Sequence, residues 1–263
     1  FIILENYKDQ KPVWKNSMCR IDGLGDGVLN VSWATKMNSI GGEVIEAPNK
    51  GIDIAETQGW KGVVLGHDYP NFSAGANLAM IFMFALEQEY DELDFAVRAF
   101  QGATMRCRYS SIPVVAAPHG MTLGGGCEFS MHSDSAVASA ETYIGLVEVG
   151  VGLIPGGGGT KEMALRASDA YYAGDAQIPQ LAERFTAIAT AKVATSAYEG
   201  FANGVFDARK DLVVVNQSRL IAEAKDKVLE LYNNGYVQKP QRDDITVLGK
   251  AGLSALYAGA ASF

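Results

Sequence analysis

The stretch VVAAPHGMTLGGGCEFSMH, residues 114–132, joins a short apolar run, three consecutive glycines and a helix start. The run VVAAP is typical of a buried parallel strand, and EFSMH is expected to start a helix just after the glycines. Glycines between a strand and a helix leave backbone N–H groups free to point at one spot, where the helix dipole adds positive charge. The stretch therefore predicts an α/β unit whose turn presents hydrogen-bond donors.

A second stretch of the same kind lies upstream. KGVVLG at 61–66 is predicted to be a buried strand, and the small-residue stretch FSAGAN at 72–77 follows it. Two such turns, brought side by side by parallel strands, would supply two N–H donors to one oxygen, as an oxyanion hole does. For either stretch alone, a plain tight turn is the commoner outcome.

The other predicted elements extend outward from these two units. A Gly/Asp turn over Asp22–Asp26 is expected to join strands at 17–21 and 27–33 into a hairpin. Hydrophobic spacing predicts a further strand at 135–139, a loop-rich segment at 141–159, and helices at 42–57, 77–90, 91–109, 180–200 and 216–233. Strands alternating with helices, followed by helices alone, indicate an α/β or α+β chain.

The composition is typical of a globular protein and argues against nucleic-acid-binding and membrane-spanning proteins. Hydrophobic residues make up 48% of the 263 residues and charged residues 20%, which is typical of a globular protein. The net charge is −8 and no basic stripe with interleaved aromatics occurs, which argues against a nucleic-acid partner. The longest apolar run, Leu78 to Leu86, is shorter than the roughly 20 residues that a transmembrane helix needs. Three cysteines without a CxxC pattern suggest a reducing compartment, so we expect a cytoplasmic protein.

The two ends of the chain suggest a piece of a longer protein. Residue 1 is Phe, and the last stretch, LGKAGLSALYAGAASF, has helical spacing without a terminating Gly or Pro. A lost tag and a frayed terminus are the alternative explanation.

Two glutamates lie in unusually apolar surroundings. Glu128 follows the triple glycine, and Glu148 is the only charged residue between Glu141 and Lys161. Burial would raise the pKa of either carboxyl, which suits general acid–base chemistry, although an exposed or helix-capping Glu is the commoner case. Glu128 and His132, four residues apart on one helix, are too few to predict a metal site. No G-x-G-x-x-G motif occurs, so no nicotinamide cofactor is expected in this chain.

Taken together, these motifs resemble the enoyl-CoA hydratase (crotonase) family. LGGGCE at 123–128, Asp134, Glu148 and GLIPGGGG at 152–159 occur in the family's order and spacing, and FSAGAN matches its F-x-A-G-A-D stretch. The resemblance implies a single crotonase-type domain over 1–263. It would consist of a spiral of ββα units at 13–170 and a helical C-terminal part at 171–263.

The variant motifs look most like the hydratase region of multifunctional fatty-acid oxidation enzymes that also carry a 3-hydroxyacyl-CoA dehydrogenase part. The resemblance implies addition of water to trans-2-enoyl-CoA in β-oxidation, with NAD used only by a dehydrogenase domain elsewhere. It also leaves open a Δ3-Δ2-enoyl-CoA isomerase and a non-catalytic acyl-CoA-binding or scaffold domain. Implied partners are the acyl-CoA substrate and either a homotrimer or a docked dehydrogenase domain.

The resemblance also assigns roles to individual residues. Ala76 and Gly125 would donate two backbone N–H groups to the thioester oxygen. Glu128 would activate the water, and Glu148 would deliver the proton to the α-carbon. Two positions depart from the family pattern: Asn77 replaces the usual acid, and Val147 replaces a common proline directly before Glu148.

Further residues are implied to contact substrate. Lys36 would meet a phosphate of coenzyme A, and Met80 and Met83 would line the acyl channel. The apolar helix that carries these methionines is alternatively plain core or a seat for a missing domain. The remaining candidates are glycine-turn residues whose backbone would approach the ligand: Ala74, Gly75, Gly124 and Gly156.

Overall fold

The computed structural model describes residues 1–261 and contains a seven-stranded main sheet in the order β1-β2-β3-β4-β5-β7-β9. A separate pair, β6 and β8, forms a small second sheet. The strands are β1 Trp14–Lys15, β2 Cys19–Gly23, β3 Val28–Trp33, β4 Gly62–Leu65, β5 Val114–Ala116, β6 Gly120–Leu123, β7 Ser135–Ser139, β8 Thr142–Gly145 and β9 Leu212–Val214.

Helices pack on both faces of the main sheet, α1 Gly42–Gln58 on one face and α8 Leu220–Asn233 on the other. The other helices are α2 Leu78–Leu86, α3 Tyr90–Arg108, α4 Gly125–His132, α5 Gly159–Asp169, α6 Ile178–Ala189, α7 Ala197–Ala202 and α9 Gly249–Ala260. None of these helices in residues 1–261 is long and apolar enough to cross a membrane.

The direction of the strands determines where ligands can bind. β2 and β3 are antiparallel, whereas β3, β4, β5, β7 and β9 run parallel to one another. The carboxyl ends of the parallel strands therefore meet at one edge of the sheet, which is where ligands bind in open α/β sheets. The segments that follow β4 and β5 contain the two glycine-bearing turns.

The core consists of three buried clusters. One cluster packs α1 and α3 against one face of the main sheet, and a second packs α8 against the other face. The third surrounds α4 and β8 and includes Met131, Ile144 and Phe206. The site described below lies between the first and the third cluster, around α4.

The structure confirms the α/β fold class, the 19–33 hairpin, the strands at 62–65, 114–116 and 135–139, and helices near the predicted positions. The segment 141–159 is loop-rich as expected, but it also contains the unpredicted strand β8. One expectation was wrong, because the predicted helix 180–200 is interrupted after Ala189. Ala191 has a φ of +49°, and Ala194 pairs with Ile144, so the chain leaves the helix to extend the small sheet.

The C-terminal third is mainly helical but also contributes β9 to the main sheet. The helix expected at the end of the chain is α9, and the last two residues of that stretch, Ser262 and Phe263, lie outside the described residues. The proposed division at residue 170 stays a prediction.

Candidate active site

The two glycine-bearing turns lie side by side. The Ser73 N–H donates to the Met121 carbonyl over 2.9 Å, and the Leu123 N–H donates to the Ser73 carbonyl over 2.9 Å. Gly75 has a φ of +96°, and a Cβ on it would lie 3.1 Å from the Leu123 carbonyl oxygen. Only glycine fits this approach without strain, so the two turns touch through their backbones.

The predicted donors, Ala76 and Gly125, both have an N–H that the fold leaves available. Ile40 bonds to the residues on either side of Ala76, accepting from Asn77 over 3.0 Å and donating to Gly75 over 2.8 Å. In a parallel bridge of this kind, the N–H of the middle residue points away from its partner. Gly125 is the first residue of α4, where N–H groups have no partner within the helix.

Glu128 is buried at the start of α4, with 1% of its surface exposed. The Gly159 N–H at the start of α5 donates to its Oε1 over 2.8 Å. Burial raises the pKa of Glu128 to about 8, and the charge of Glu148 adds to this rise, whereas the Gly159 bond opposes it. Glu128 is therefore largely protonated at neutral pH in the ligand-free site.

Glu148 lies beside the same turn, in the short 3₁₀ segment Glu148–Val151 that follows β8. Burial raises its pKa as well. Its Oε2 is buried and makes no hydrogen bond within residues 1–261, and a Cβ on Gly124 would lie 3.0 Å from its Oε1. Glu148 thus faces the glycine turn, and Gly124 leaves room for its carboxyl.

Glycine-turn residues predicted to contact the ligand already use backbone groups in hydrogen bonds within the protein. The Ala74 N–H is used by the Met37 carbonyl at 3.1 Å, and the Gly156 carbonyl accepts from Gln101 Nε2 at 2.8 Å. The Asn77 side chain accepts from the Met80 N–H at 3.4 Å and caps α2, which gives this departure from the family pattern a structural role.

The side chains predicted to contact substrate, those of Lys36, Met80 and Met83, are more exposed than that of Glu128. Lys36 is exposed in a 3₁₀ turn, Met80 is half-buried, and Met83 is 57% exposed on α2. The structure therefore brings the two glutamates and the glycine turns together, whereas the proposed contacts of Lys36 and Met83 stay predictions.

Sequence reasoning missed Gly157 and Gly159 as residues that shape the site. A Cβ on Gly157 would lie 2.6 Å from Glu128 Oε2, and one on Gly159 would lie 3.0 Å from Glu128 Oε1. The run of four glycines at 156–159 was the available signal, but only Gly156 was selected from it.

The site has no metal-binding cluster. Within residues 1–261, no group of three or more His, Cys, Asp or Glu side chains is placed to hold a metal ion. Both ring nitrogens of His132 are already used, by the Glu128 carbonyl at 2.7 Å and by Lys161 Nζ at 2.9 Å.

Comparison with known proteins agrees with this geometry. Residues 26–192 match the sequence model of enoyl-CoA hydratase/isomerase. The chain therefore belongs to the enoyl-CoA hydratase/isomerase family.

Individual relatives are similar over most of the chain. A "Probable 3-hydroxyacyl-CoA dehydrogenase" of Bacillus subtilis (strain 168) is 40% identical over 260 residues, which is 98% of this chain and 32% of that protein. An enoyl-CoA hydratase from Bacillus anthracis is 25% identical with a TM-score of 0.67, over 83% of this chain and 78% of its own. One from Polaromonas sp. JS666 shares the fold with a TM-score of 0.67 at 20% identity, over 81% and 77% of the two chains. The chain spans about a third of the length of the Bacillus subtilis relative.

Proposed function

We propose that this chain is a hydro-lyase that adds water to a trans-2-enoyl-CoA and forms a 3-hydroxyacyl-CoA. The observation that carries the proposal is the pair Glu128 and Glu148, both with a raised pKa, beside the available N–H groups of Ala76 and Gly125. The named activity of the Bacillus subtilis relative, 3-hydroxyacyl-CoA dehydrogenase, would consume this product, which supports a place in fatty-acid β-oxidation.

The two N–H groups would polarise the thioester carbonyl. Hydrogen bonds to its oxygen draw electron density from the conjugated double bond and stabilise the enolate that forms when water attacks the β-carbon. One such donor contributes roughly 3–4 kcal/mol to transition-state stabilisation. The proposed chemistry requires neither a metal ion nor a nicotinamide cofactor.

The two carboxyls would manage the protons. The water oxygen bonds to the β-carbon while Glu128 accepts a proton from that water. Glu148 gives a proton to the α-carbon, so the net reaction adds one water molecule across the double bond. Glu128 has to be ionised for this role, and its pKa of about 8 makes that form the minor one at neutral pH. Glu148 has to keep its proton for the same step, so turnover should follow a bell-shaped pH dependence whose two limbs report the titration of the glutamate pair.

The test is turnover of crotonyl-CoA, followed as loss of the conjugated enoyl-thioester absorbance. We expect Glu128→Gln and Glu148→Gln each to lose at least about 100-fold in kcat, because general acid–base groups contribute this much. Both variants should still bind acyl-CoA. The matched control is Glu141→Gln, which changes an exposed glutamate near β8 and should retain full activity.

Other results would select the alternatives. Migration of a 3-enoyl-CoA double bond that survives Glu128→Gln but not Glu148→Gln would identify an isomerase. Tight acyl-CoA binding without turnover in the wild type, unaffected by either change, would identify a binding or scaffold domain.

The same proposal extends to assembly and location. The exposed apolar residues of α2, such as Leu78 and Phe82, would line the acyl channel or contact a dehydrogenase domain, and a homotrimer is the other arrangement expected. A cytoplasmic location is supported by three cysteines that are free and buried, Cys19, Cys107 and Cys127.

A further inference from the structure

A buried cluster of charged side chains lies next to Glu128, and Lys161 is its member that interacts electrostatically with the Glu128 carboxyl. At the centre of the cluster is Glu162 on α5, with 2% of its surface exposed. Glu162 pairs with Arg108 of α3 at 2.5 Å, Arg166 at 3.5 Å and Lys161 at 3.2 Å. Burial alone would raise the pKa of Glu162, but these cations dominate and hold it at about 2.

The cluster carries more positive than negative charge. Three cations surround one carboxylate, and His132 adds none because burial lowers its pKa to about 3. An excess of positive charge in a low-dielectric region favours a second anion nearby. Glu128, four residues before His132 on α4, is the carboxyl adjoining the cluster.

A chain of hydrogen bonds links Lys161 to Glu128. The Glu128 carbonyl can only accept, so His132 Nδ1 carries the proton and donates to it over 2.7 Å. His132 Nε2 is then a bare acceptor, and Lys161 Nζ donates to it over 2.9 Å. His132 is fully buried, so it fixes Lys161 relative to the first turn of α4.

The start of α5 contacts Glu128 from the other side. The same helix that carries Lys161 donates its Gly159 N–H to Glu128 Oε1. Gly158 has a φ of +105°, and a Cβ there would lie 2.9 Å from His132 Nε2. Lys161 and Gly159 together therefore hold the backbone and the carboxyl of Glu128 in place.

We propose that Lys161 is a positioning residue for Glu128, which it orients through His132 and stabilises in the ionised form that activates water. Only the activation of water rests on the proposed function, because the charge and the hydrogen bonds act on Glu128 whatever the substrate. Arg108 and Arg166 already neutralise Glu162, so Lys161 is not needed merely as its counter-ion.

The test is a direct titration of Glu128 by carbon-13 NMR of labelled glutamate carboxyls, assigned by the signal lost in Glu128→Gln. Lys161→Met removes the positive charge and the hydrogen bond to His132. Lys161→Arg keeps a positive charge and N–H donors on a side chain of different shape. Lys50→Met, on the exposed face of α1, is the matched control that removes one positive charge elsewhere. Lys161→Gln serves as a second variant if the methionine variant does not fold.

We expect the titration midpoint of Glu128 to rise by roughly half to one pH unit in Lys161→Met, since a partly exposed charge a short distance away is screened by solvent. Lys161→Arg should restore most of the wild-type midpoint, and Lys50→Met should leave it unchanged. The pH dependence of kcat/KM should shift by the same amount. The other ionisable groups that face this region remain in all variants: Arg108, Cys127, His132, Glu148, Glu162 and Arg166.

An unchanged Glu128 midpoint in folded Lys161→Met would overturn the proposal, as would an equal rise in Lys50→Met. The NMR readout is independent of turnover. A wild type that fails to hydrate crotonyl-CoA therefore counts against the proposed function alone, and a fixed midpoint in an active enzyme counts against Lys161 alone.

Discussion

At the scale of single residues, burial of the Glu128 carboxyl lowers the stability of the folded protein when that carboxyl is ionised. This carboxyl is removed from water and lies near Glu148, and backbone N–H bonds from Gly157 and Gly159 only partly offset the loss of hydration. A buried carboxyl without a cationic partner in direct contact is rare in a core, because desolvation disfavours its charged form. We therefore expect activity and stability to be opposed at this position.

The first prediction concerns the pH dependence of stability. The pKa of Glu128 is 4.5 in the unfolded chain and about 8 when folded. Between these values the folded state keeps a proton that the unfolded state has lost, so stability falls as pH rises, by at most about 1.4 kcal/mol per unit. Glu128→Gln should remove this loss and unfold at a higher denaturant concentration than wild type at about pH 8.5.

Chemical denaturation at several pH values checks this. The stability difference between Glu128→Gln and wild type should shrink as the pH is lowered toward about 5, where both side chains are neutral. Glu141→Gln, whose side chain is exposed, should show no such trend. A difference that stays constant with pH, or a variant less stable than wild type at alkaline pH, would contradict the raised pKa.

At the scale of elements, the site depends on how closely α3 and the 156–159 glycine turn approach each other. Gln101 Nε2 donates to the Gly156 carbonyl over 2.8 Å, and Thr104 Oγ1 donates to the Gly157 carbonyl over 2.7 Å. Phe100, one turn earlier, lies against Gly157. α3 therefore fixes the turn that leads into α5 and its N–H bond to Glu128.

Gly157→Ala should disrupt this approach. A Cβ at 157 would overlap Phe100 Cε1 and lie 2.6 Å from Glu128 Oε2. Overpacking of this kind lowers the free energy of unfolding by about 1–3 kcal/mol. Because Glu128 is displaced, kcat should fall by a larger factor than that by which KM changes. Gly156→Ala is the matched control, since its Cβ would meet only the Ile154 carbonyl at 3.9 Å. Thermal unfolding and crotonyl-CoA turnover of both variants check this, and equal behaviour of the pair would refute it.

The elements that sequence reasoning predicted are those with strong local patterns. The 19–33 hairpin and β4 are continuous apolar or alternating runs bounded by turn residues. β6 and β8 were missed because these four-residue strands, which include Gly120 and Gly145, carry little periodicity, and they depend on pairing with each other and with Ser73 and Ala194. Local patterns thus predicted strands β2, β3, β4, β5 and β7 of the main sheet, but not β1, β9 or the small sheet.

The site could be predicted only in part, for the same reason. Glu128 and Glu148 stand out because their neighbours in sequence are apolar. Lys161 does not, since its contact with His132 joins residues 29 positions apart and exists only because α5 packs on α4. A glycine run shows that backbone approaches something closely, but not which group it approaches.

At the scale of the whole molecule, the last third of the chain completes the sheet. The family match ends at residue 192, but β9 pairs with β7 beyond it. α8 then covers the face of the main sheet opposite to α1, placing Ile221 and Val228 among buried valines. A Cβ on Gly62 of β4 would lie 2.5 Å from Val228 Cγ1, so helix and sheet are closely packed. The matched segment alone would leave this apolar face exposed to water, and we expect it not to fold independently.

Val228→Asp tests this dependence without truncation. Val228 is fully buried, so an aspartate would place an unpaired charge in the core and cost more than about 4 kcal/mol. Val228→Ala, a milder change, should cost about 1–3 kcal/mol and keep the protein measurable if the aspartate variant does not fold. Val237→Asp is the matched control, because Val237 is 78% exposed just after the same helix. The readouts are circular dichroism and thermal unfolding. If Val228→Asp were as stable as Val237→Asp, α8 would not be part of the folding unit, and the main sheet would fold without this helix on its face.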